Sequence, residues 1–292
     1  MTFLGSTIFG KVKHSNAITR NIYLSSKIYG ANGLTKTNIK NGMKSIVMND
    51  LKTRNCLSNS MMEDLIEDIS VDQDNPEVRC MVLSAVGPVF SSGHNLRELA
   101  AKGEKGSAAV FATCSKLMNT IMEAPVPVLA AVKGVAAAAG CQLVAACDLA
   151  VCTKGSSFST PGASWGLFCS TPGIPLARAV PRKMAAYMLF TGEPISAQVA
   201  IQAGLVSSVV DDEKLDEEVA RIVESISKKS REVVGLGKKF FYKQIEMDIN
   251  SAYRLGESVM VGNIGIPDGQ EGLRSFAEKR TPKWTHGLRS KA

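Results

Sequence analysis

The chain has 292 residues, of which 45% are hydrophobic and 21% charged, the composition of an ordinary globular protein with ample length for a core. Its net charge of +7 does not indicate a nucleic-acid-binding protein, because the excess lies at one end. The first 49 residues hold seven Lys and Arg and no Asp or Glu. Setting those seven aside leaves 27 basic and 27 acidic side chains, so the remainder is neutral.

The N-terminal segment 1–40 is basic, acid-free and rich in Ser, Thr and Asn, which predicts a mitochondrial transit peptide. The alternative is an N-terminal extension without a targeting role. Seven cysteines without C-x-x-C pairs indicate free thiols in a reducing compartment and no cysteine metal site. The mitochondrial matrix satisfies both observations.

The elements that follow alternate between strands and helices. Apolar runs predict strands at 44–50, 78–85, 126–134 and 148–152, with helices after a Ser58 cap, near 107–122 and from 136. Such alternation predicts an α/β fold with parallel strands and crossover helices. From Ile174 the chain is helical apart from 204–210, so we expect one domain, 41–292, with a helical C-terminal part from about 213.

Two stretches suggest functions that their surroundings exclude. The apolar run 126–152 is interrupted by Lys133, Gln142 and Asp148, so it predicts no membrane span. "GASWG" (162–166) fits the G-x-S-x-G pattern of serine hydrolases, but a buried strand and a helix do not flank it as that turn requires. We therefore interpret Ser164 as a loop residue.

Two glycine turns, "FSSGHNL" (90–96) and "VAAAAGCQL" (135–143), each lie where a helix begins. Free backbone N–H groups at such points can hold a developing negative oxygen, although both turns also fit plain strand-to-helix connections. Together with "FSTPGASWGL" and "TGEPISAQVAIQAGLVSSVV", these motifs resemble the enoyl-CoA hydratase (crotonase) family in their order, over about residues 44–284.

The resemblance implies a spiral of strand-strand-helix turns, a helical C-terminal trimerisation region, and trimers often paired into hexamers. It also implies an acyl-CoA thioester ligand, with coenzyme A as part of the substrate and no further cofactor or metal. The family's oxyanion hole matches the backbone amides of His94 and Ala139. The family's CoA contacts match Lys52, Arg54 and Asn55, or their backbone, and Phe276 and Lys279 of a neighbouring subunit.

The two catalytic glutamates of the hydratases match Gln142 and Gly162, so neither carboxylate is present. Adding water to an enoyl thioester needs one group to activate water and one to protonate carbon, each worth about 10² to 10⁴ in rate. Gln142 can orient water but cannot exchange its proton. Efficient hydration by the usual route is therefore not expected, unless His94 supplies acid-base chemistry. Cys169 and Ser170 are candidates to face the acyl pocket, although a lone cysteine in an apolar run such as Cys169 also fits core packing.

Three functions compete on this sequence. The first is an acyl-CoA enzyme with altered acid-base groups, and the second is a catalytically weak acyl-CoA-binding protein that regulates or joins a mixed assembly. The third, RNA binding as in one family member with a lysine-rich first helix, is disfavoured because the matching helix here, 60–77, is acidic. The basic segment 227–243 has an apolar face instead, so no nucleic-acid partner is expected.

Overall fold

The structure, a computed structural model, describes residues 30–287. The strands are β1 (Thr35–Lys40), β2 (Met43–Met48), β3 (Cys80–Ala85), β4 (Val89–Ser91), β5 (Val128–Val132), β6 (Val135–Ala137), β7 (Leu149–Thr153), β8 (Ser157–Ser159), β9 (Ile195–Ser196) and β10 (Ser208–Val210). The helices are α1 (Asn59–Ser70), α2 (Leu96–Glu123), α3 (Ala139–Ala146), α4 (Ser170–Ala179), α5 (Arg182–Thr191), α6 (Ala197–Gln202), α7 (Leu215–Ser227), α8 (Arg231–Gln244), α9 (Ile249–Gly265) and α10 (Pro267–Ala277).

The strands form two sheets that run side by side. A six-stranded sheet has the order β1-β2-β3-β5-β7-β10, and a four-stranded sheet has the order β4-β6-β8-β9. Each repeat of the chain gives one strand to each sheet and then a helix, as in β3-β4-α2 and β5-β6-α3. This is the predicted spiral of strand-strand-helix turns, and it brings the ends of β4, β6 and β8 together.

Buried apolar residues of the strands hold the spiral together. All five residues of β5 are buried, as expected for a parallel strand covered on both sides. Phe90 and Phe158, from β4 and β8, are fully buried in the main core. The predicted Ser58 cap is confirmed, since its side chain accepts a hydrogen bond from Met61 N at the start of α1.

The folded domain begins earlier than the predicted boundary at residue 41. β1 pairs antiparallel with β2 along its whole length, and Thr35 and Thr37 are buried against α1. The segment before β1 is held by Asp64, whose carboxylate accepts hydrogen bonds from Asn32 N at 3.1 Å and Leu34 N at 2.9 Å. Residues 30–40 therefore belong to the domain, and the transit-peptide prediction is left with residues 1–29, outside the described part.

The second helix is longer than predicted. α2 begins at Leu96, capped by Asn95, and bends at Gly103, whose φ of 60° and ψ of −167° are not helical. The C-terminal part is helical, as predicted. α8 is joined to the sheets by an ion pair of 2.7 Å between the buried Lys238 ammonium and Asp148, which also accepts a hydrogen bond from Tyr242.

Candidate active site

The two glycine turns contact each other through their backbones. Gly93 follows β4 with a φ of +88°, and a Cβ there would lie 2.9 Å from Ala137 O and 3.3 Å from Ala139 N. A Cβ on Gly140 would lie 2.5 Å from Ser91 O. Only glycine permits these approaches, since a side chain at either position would separate the turns. The amide of His94, directly after Gly93, thereby lies on the turn that contacts Ala139.

The start of α3 adds a local electrostatic field to this contact. Ala138, before the helix, has a φ of 50° and a ψ of −117°, a sparsely populated conformation for a residue with a side chain. The first helical hydrogen bond runs from Gln142 N to Ala138 O, at 3.0 Å. The N–H groups of the first helical turn precede that ladder and form the positive end of the helix dipole. This arrangement suits a negatively charged oxygen.

The His94 ring is part of the support for its own turn. Its Nδ1 lies 3.2 Å from Leu57 O, so Nδ1 carries the ring proton and donates it. Leu57 N in turn donates to Gly93 O at 2.8 Å, and the ring packs edge-on against Phe111 with centroids 5.4 Å apart. Burial lowers the pKa of His94, which keeps the ring neutral near pH 7. Its Nε2 is buried and has no hydrogen-bond partner among the described residues.

Gln142 lies one helical turn beyond Ala139 and is only 3% exposed. Its Oε1 accepts a hydrogen bond from the Cys114 thiol of α2 at 3.7 Å. Burial raises the pKa of Cys114 to about 12, so the thiol keeps its proton and is the donor. Gln142 also borders a cavity of about 1260 Å³ between α2, α3, α4 and α8, whose apolar lining includes Met118, Met122 and Ile174.

Gly162 has no space for the missing glutamate. It lies in a 3-10 helix, Pro161–Trp165, which also contains the exposed Ser164 rather than a strand-to-helix elbow. A Cβ on Gly162 would lie 2.0 Å from Leu167 O and 2.7 Å from the Cys169 sulfur. The loop itself therefore fills the position that a second carboxylate needs. Cys169 is buried and its pKa is raised by burial, so it packs as a protonated thiol, next to Ser170 at the start of α4.

The loop after β2 carries two exposed cations beside this site. Lys52 and Arg54 are exposed, and the loop is joined to the Gly93 turn by a 3.1 Å hydrogen bond from Ser92 N to Arg54 O. Both residues lie in a suitable position, but their contacts with CoA stay predictions.

The side chain of Asn55 is not available to CoA, so the predicted contact of this residue is left to its backbone and stays a prediction. Asn55 is fully buried; its Oδ1 accepts from Asp50 N, and its Nδ2 donates to Val86 O and Val89 O, all at 2.9 Å. A side-chain amide with these three bonds holds two loops together, and it has no surface to offer a ligand.

Phe276 and Lys279 lie at the far end of the helical region. α10 packs against α8 and α9, and Phe276 is 86% exposed. Lys279 follows the end of the helix and is exposed as well. Their predicted approach to CoA requires another subunit, and this stays a prediction.

Two other findings concern residues 30–287 only. No helix in that range is long and apolar enough to cross a membrane. No group of three or more His, Cys, Asp or Glu within it could hold a metal ion.

The family follows from comparison with known proteins. Residues 38–287 match the sequence pattern of the family described as Enoyl-CoA hydratase/isomerase. The chain belongs to this family. Enoyl-CoA hydratase domain-containing protein 3, mitochondrial, from Homo sapiens is 54% identical over 246 residues, which cover 84% of this chain and 81% of the relative. The same-named protein from Mus musculus is 52% identical over 254 residues, covering 87% and 85%.

Solved structures confirm the crotonase-like fold. The crystal structure of the human domain-containing protein 3 superposes with a TM-score of 0.84 at 52% identity, covering 86% of this chain and all of that one. An enoyl-CoA hydratase from Mycobacterium smegmatis gives a TM-score of 0.84 at 42% identity, covering 86% and 98%. The fold predicted from the motifs is therefore confirmed over the described domain.

Sequence reasoning missed the groups that support the site. Phe111 and Cys114 lie on one face of α2, and their contacts with His94 and Gln142 span 17 and 28 positions of the chain. Helical periodicity indicates that such residues are buried but not what they touch.

Proposed function

We propose that this protein binds an acyl-CoA thioester in the mitochondrial matrix, as part of fatty-acid metabolism, and stabilises the enolate of that thioester. The observation that carries the proposal is the close contact of the Gly93 turn with the start of α3. The amides of His94 and Ala139 there match the family's oxyanion donors. The exposed Lys52 and Arg54 border the same turn and offer positive charge to the CoA phosphates.

The chemistry of such a site begins with the thioester oxygen. Two N–H donors hold that oxygen more strongly as it becomes negative, so they favour the enolate over the ground state. Hydration then needs a proton for the α carbon and an activated water for the β carbon. Gln142 and Gly162 supply neither, and His94 has its ring proton bonded to Leu57. We therefore propose an enolate-stabilising site with slow hydration.

The second candidate is a catalytically weak acyl-CoA-binding protein that regulates or joins a mixed assembly. The filled space at Gly162 favours it, because that position cannot accept a carboxylate without moving the loop. Both candidates require the same ligand and differ in turnover.

The proposed assembly is a homotrimer or a hexamer built through the helical C-terminal region. Large apolar side chains stay exposed there in the single chain, and a cluster of this kind marks a protein interface. They include Tyr253, Met260, Val261, Leu273 and Phe276.

A panel of enoyl-, hydroxyacyl- and branched acyl-CoA thioesters tests the proposal. Purified protein lacking residues 1–29 is expected to bind several of them and to turn over crotonyl-CoA slowly. Failure to bind any thioester contradicts the proposal, and fast turnover contradicts the assigned lack of acid-base groups.

The proposed matrix location has its own test. The same truncation is expected to stay cytosolic in cells and still fold, whereas removing residues 1–40 deletes β1 and destabilises the domain. Import of the truncated protein would place the targeting information elsewhere.

A further inference from the structure

A cleft of about 400 Å³ lies at the end of the large sheet where β2 begins, and the proposed function does not involve it. Its walls come from three parts of the chain: the turn between β1 and β2, the segment before β3, and the last residue of α7. The N–H groups of Arg79 and Cys80 both donate to Gly42 O, at 2.8 and 3.1 Å. These bonds fix the turn to the start of β3, so the cleft is part of the folded domain.

The Arg79 side chain borders this cleft as a cation without a partner. Its Nη1 is buried and has no hydrogen bond, and no carboxylate forms an ion pair with it, among residues 30–287. The charge of Asp268 acts on Arg79, but both oxygens of that carboxylate already accept hydrogen bonds. Their donors are Ser230, Thr285 and His286. The guanidinium charge is therefore not paired from within the described chain.

Two further cations add positive charge to the same place. Arg231 lies close enough for its charge, after burial, to lower the pKa of Arg79. The donors of Arg231 bond to two backbone carbonyls, and it forms no ion pair within the described range, although the charge of Asp74 reaches it. The exposed Lys40 borders the cleft on its other side. Positive charge concentrated in this way favours a bound anion.

A hydroxyl and a carboxylate complete the polar groups of the cleft. Ser227 ends α7, and its Oγ is buried without a hydrogen-bond partner in the part of the chain that the structure describes. A buried hydroxyl or guanidinium N–H without a partner is unfavourable. Arg79 and Ser227 are only half-buried as whole residues, so rotation about their side-chain bonds turns both groups towards the cleft. The exposed Glu77 lies at the edge.

We propose that this cleft binds the phosphate group of a small phosphate ester, with Arg79 and Lys40 as its charged partners and Ser227 as a neutral donor. A phosphate group carries nearly two negative charges near pH 7 and three acceptor oxygens, and arginine binds it through two parallel N–H bonds. The cleft is larger than one phosphate group, so an ester fits it better than the inorganic ion. Glu77 is placed to accept a hydrogen bond from a hydroxyl of that ester.

This site is separate from the candidate active site, and the inference does not rest on the proposed function. The cleft adjoins the first residue of β2, whereas the loop with Lys52 and Arg54 follows the last one. A strand of six residues extends about 20 Å. A ligand in the cleft therefore leaves the predicted CoA contacts free.

The test is calorimetric titration of the full chain, saturated with crotonyl-CoA, at constant ionic strength. Glycerol 3-phosphate is the probe, and inorganic phosphate and succinate test the ester and the phosphate separately. Glycerol 3-phosphate is expected to bind about threefold or more tightly than either, the value of one further neutral hydrogen bond. Arg79→Gln is expected to raise its dissociation constant at least about tenfold, since it removes a charge-assisted hydrogen bond. Arg182→Gln is the matched control, because Arg182 is an exposed arginine at the start of α5 without an ion pair among the described residues.

Ser227→Ala separates ligand binding from support of the fold. It is expected to weaken glycerol 3-phosphate binding about threefold and to leave the thermal stability of the free protein unchanged, because the hydroxyl that it removes has no partner. Lys40→Gln changes an exposed side chain and is expected to weaken binding by a similar factor. If Arg79→Gln does not fold, these two variants still decide the question.

The possible outcomes lead to different conclusions. If glycerol 3-phosphate does not bind, or binds equally to the Arg79→Gln and Arg182→Gln variants, the inference is overturned and the proposed function is unaffected. If inorganic phosphate binds as tightly as the ester, the ester assignment is wrong. Equal weakening of crotonyl-CoA and glycerol 3-phosphate binding by Arg79→Gln would assign the cleft to the CoA groove and overturn a separate site. Weakening of glycerol 3-phosphate binding alone supports the proposal.

Discussion

The two halves of this site differ in what defines them. The half proposed to hold the thioester oxygen consists of backbone groups, positioned by Gly93 and Gly140 and by the loop around Asn55. The half that moves protons in the hydratases depends on two carboxylate side chains, and here it contains an amide and a glycine. The first half tolerates an unusual residue such as His94, because its donors are main-chain N–H groups.

If the proposed function holds, the difference explains how the fold keeps a ligand while hydrating it slowly. A backbone site depends on space and on hydrogen bonds between loops, whereas an acid-base site depends on residue identity. The surroundings of the two positions also differ: Cys114 donates to Gln142, whereas Leu167 and Cys169 occupy the space beside Gly162. Placing a carboxylate by mutation is therefore expected to have different effects at Gln142 and at Gly162.

The largest expected effect is on the loops that carry the backbone half. Asn55→Ala removes three buried hydrogen bonds and leaves their backbone partners unpaired, at an expected cost of about 3 kcal/mol in the free energy of unfolding. Chemical denaturation measures it. Lys52→Ala, in the same loop, is the control and is expected to weaken acyl-CoA binding without changing stability. Equal stability of both variants would show that the Asn55 network does not hold the loop.

Gln142→Glu tests the side-chain half. It places a carboxylate next to the Cys114 thiol and is expected to raise crotonyl-CoA hydration by about 10², the lower value for one acid-base group. Gly162→Glu is expected to destabilise the protein by about 1 to 3 kcal/mol through overpacking against Leu167 and to add no activity. Loss of crotonyl-CoA absorbance follows the reaction. A fully active double variant would show that the loop moves easily.

Gly93→Ala tests the contact between the turns. The new Cβ meets Ala137 and Ala139, so we expect acyl-CoA binding to weaken by about tenfold through displacement of the oxyanion donors. Gly33→Ala also places a side chain at a positive φ, +69°, but with nothing within 4 Å of its Cβ, and is expected to bind normally. Equal affinity of both variants would remove the thioester hypothesis from this turn.

Much of this architecture could be predicted from the sequence, for identifiable reasons. The buried strands and glycine turns have local signals, namely apolar runs and small residues at fixed places, and their order identified the family. β1 was missed because its buried side chains are Thr35 and Thr37. Buried and exposed residues alternate along this edge strand, but the buried ones are polar, so the sequence shows no apolar alternation. Its basic residues, Lys36 and Lys40, resemble the composition of the segment before it, so the sequence assigned β1 to the transit peptide.

The candidate site was predictable only where its residues act through the backbone. The contact of the two turns agrees with the oxyanion prediction for His94 and Ala139, which itself stays untested. The burial of the Asn55 side chain was not predicted, because a polar residue in a loop looks the same in sequence whether it faces solvent or the interior. The obstruction at Gly162 and the Cys114 bond depend on distant segments that no local pattern reports.

The smallest expected effect concerns the ring of His94 and pH. Burial lowers its pKa below the ordinary value of 6.5, so below that pH the unfolded chain binds a proton that the folded protein does not. The contribution of His94 to the free energy of unfolding is therefore expected to be fully present above pH 6.5 and to decline on acidification. His94→Gln should flatten this decline.

His286 also has a lowered pKa, caused first by burial, but it lies beside Asp268 and Arg231, so His286→Gln is the matched control. Thermal melting of the three proteins with and without acyl-CoA measures the effect. If the His94 ring supports the oxyanion turn, only His94→Gln should also lose part of the stabilisation by ligand. The same loss in His286→Gln would assign the effect to general destabilisation instead.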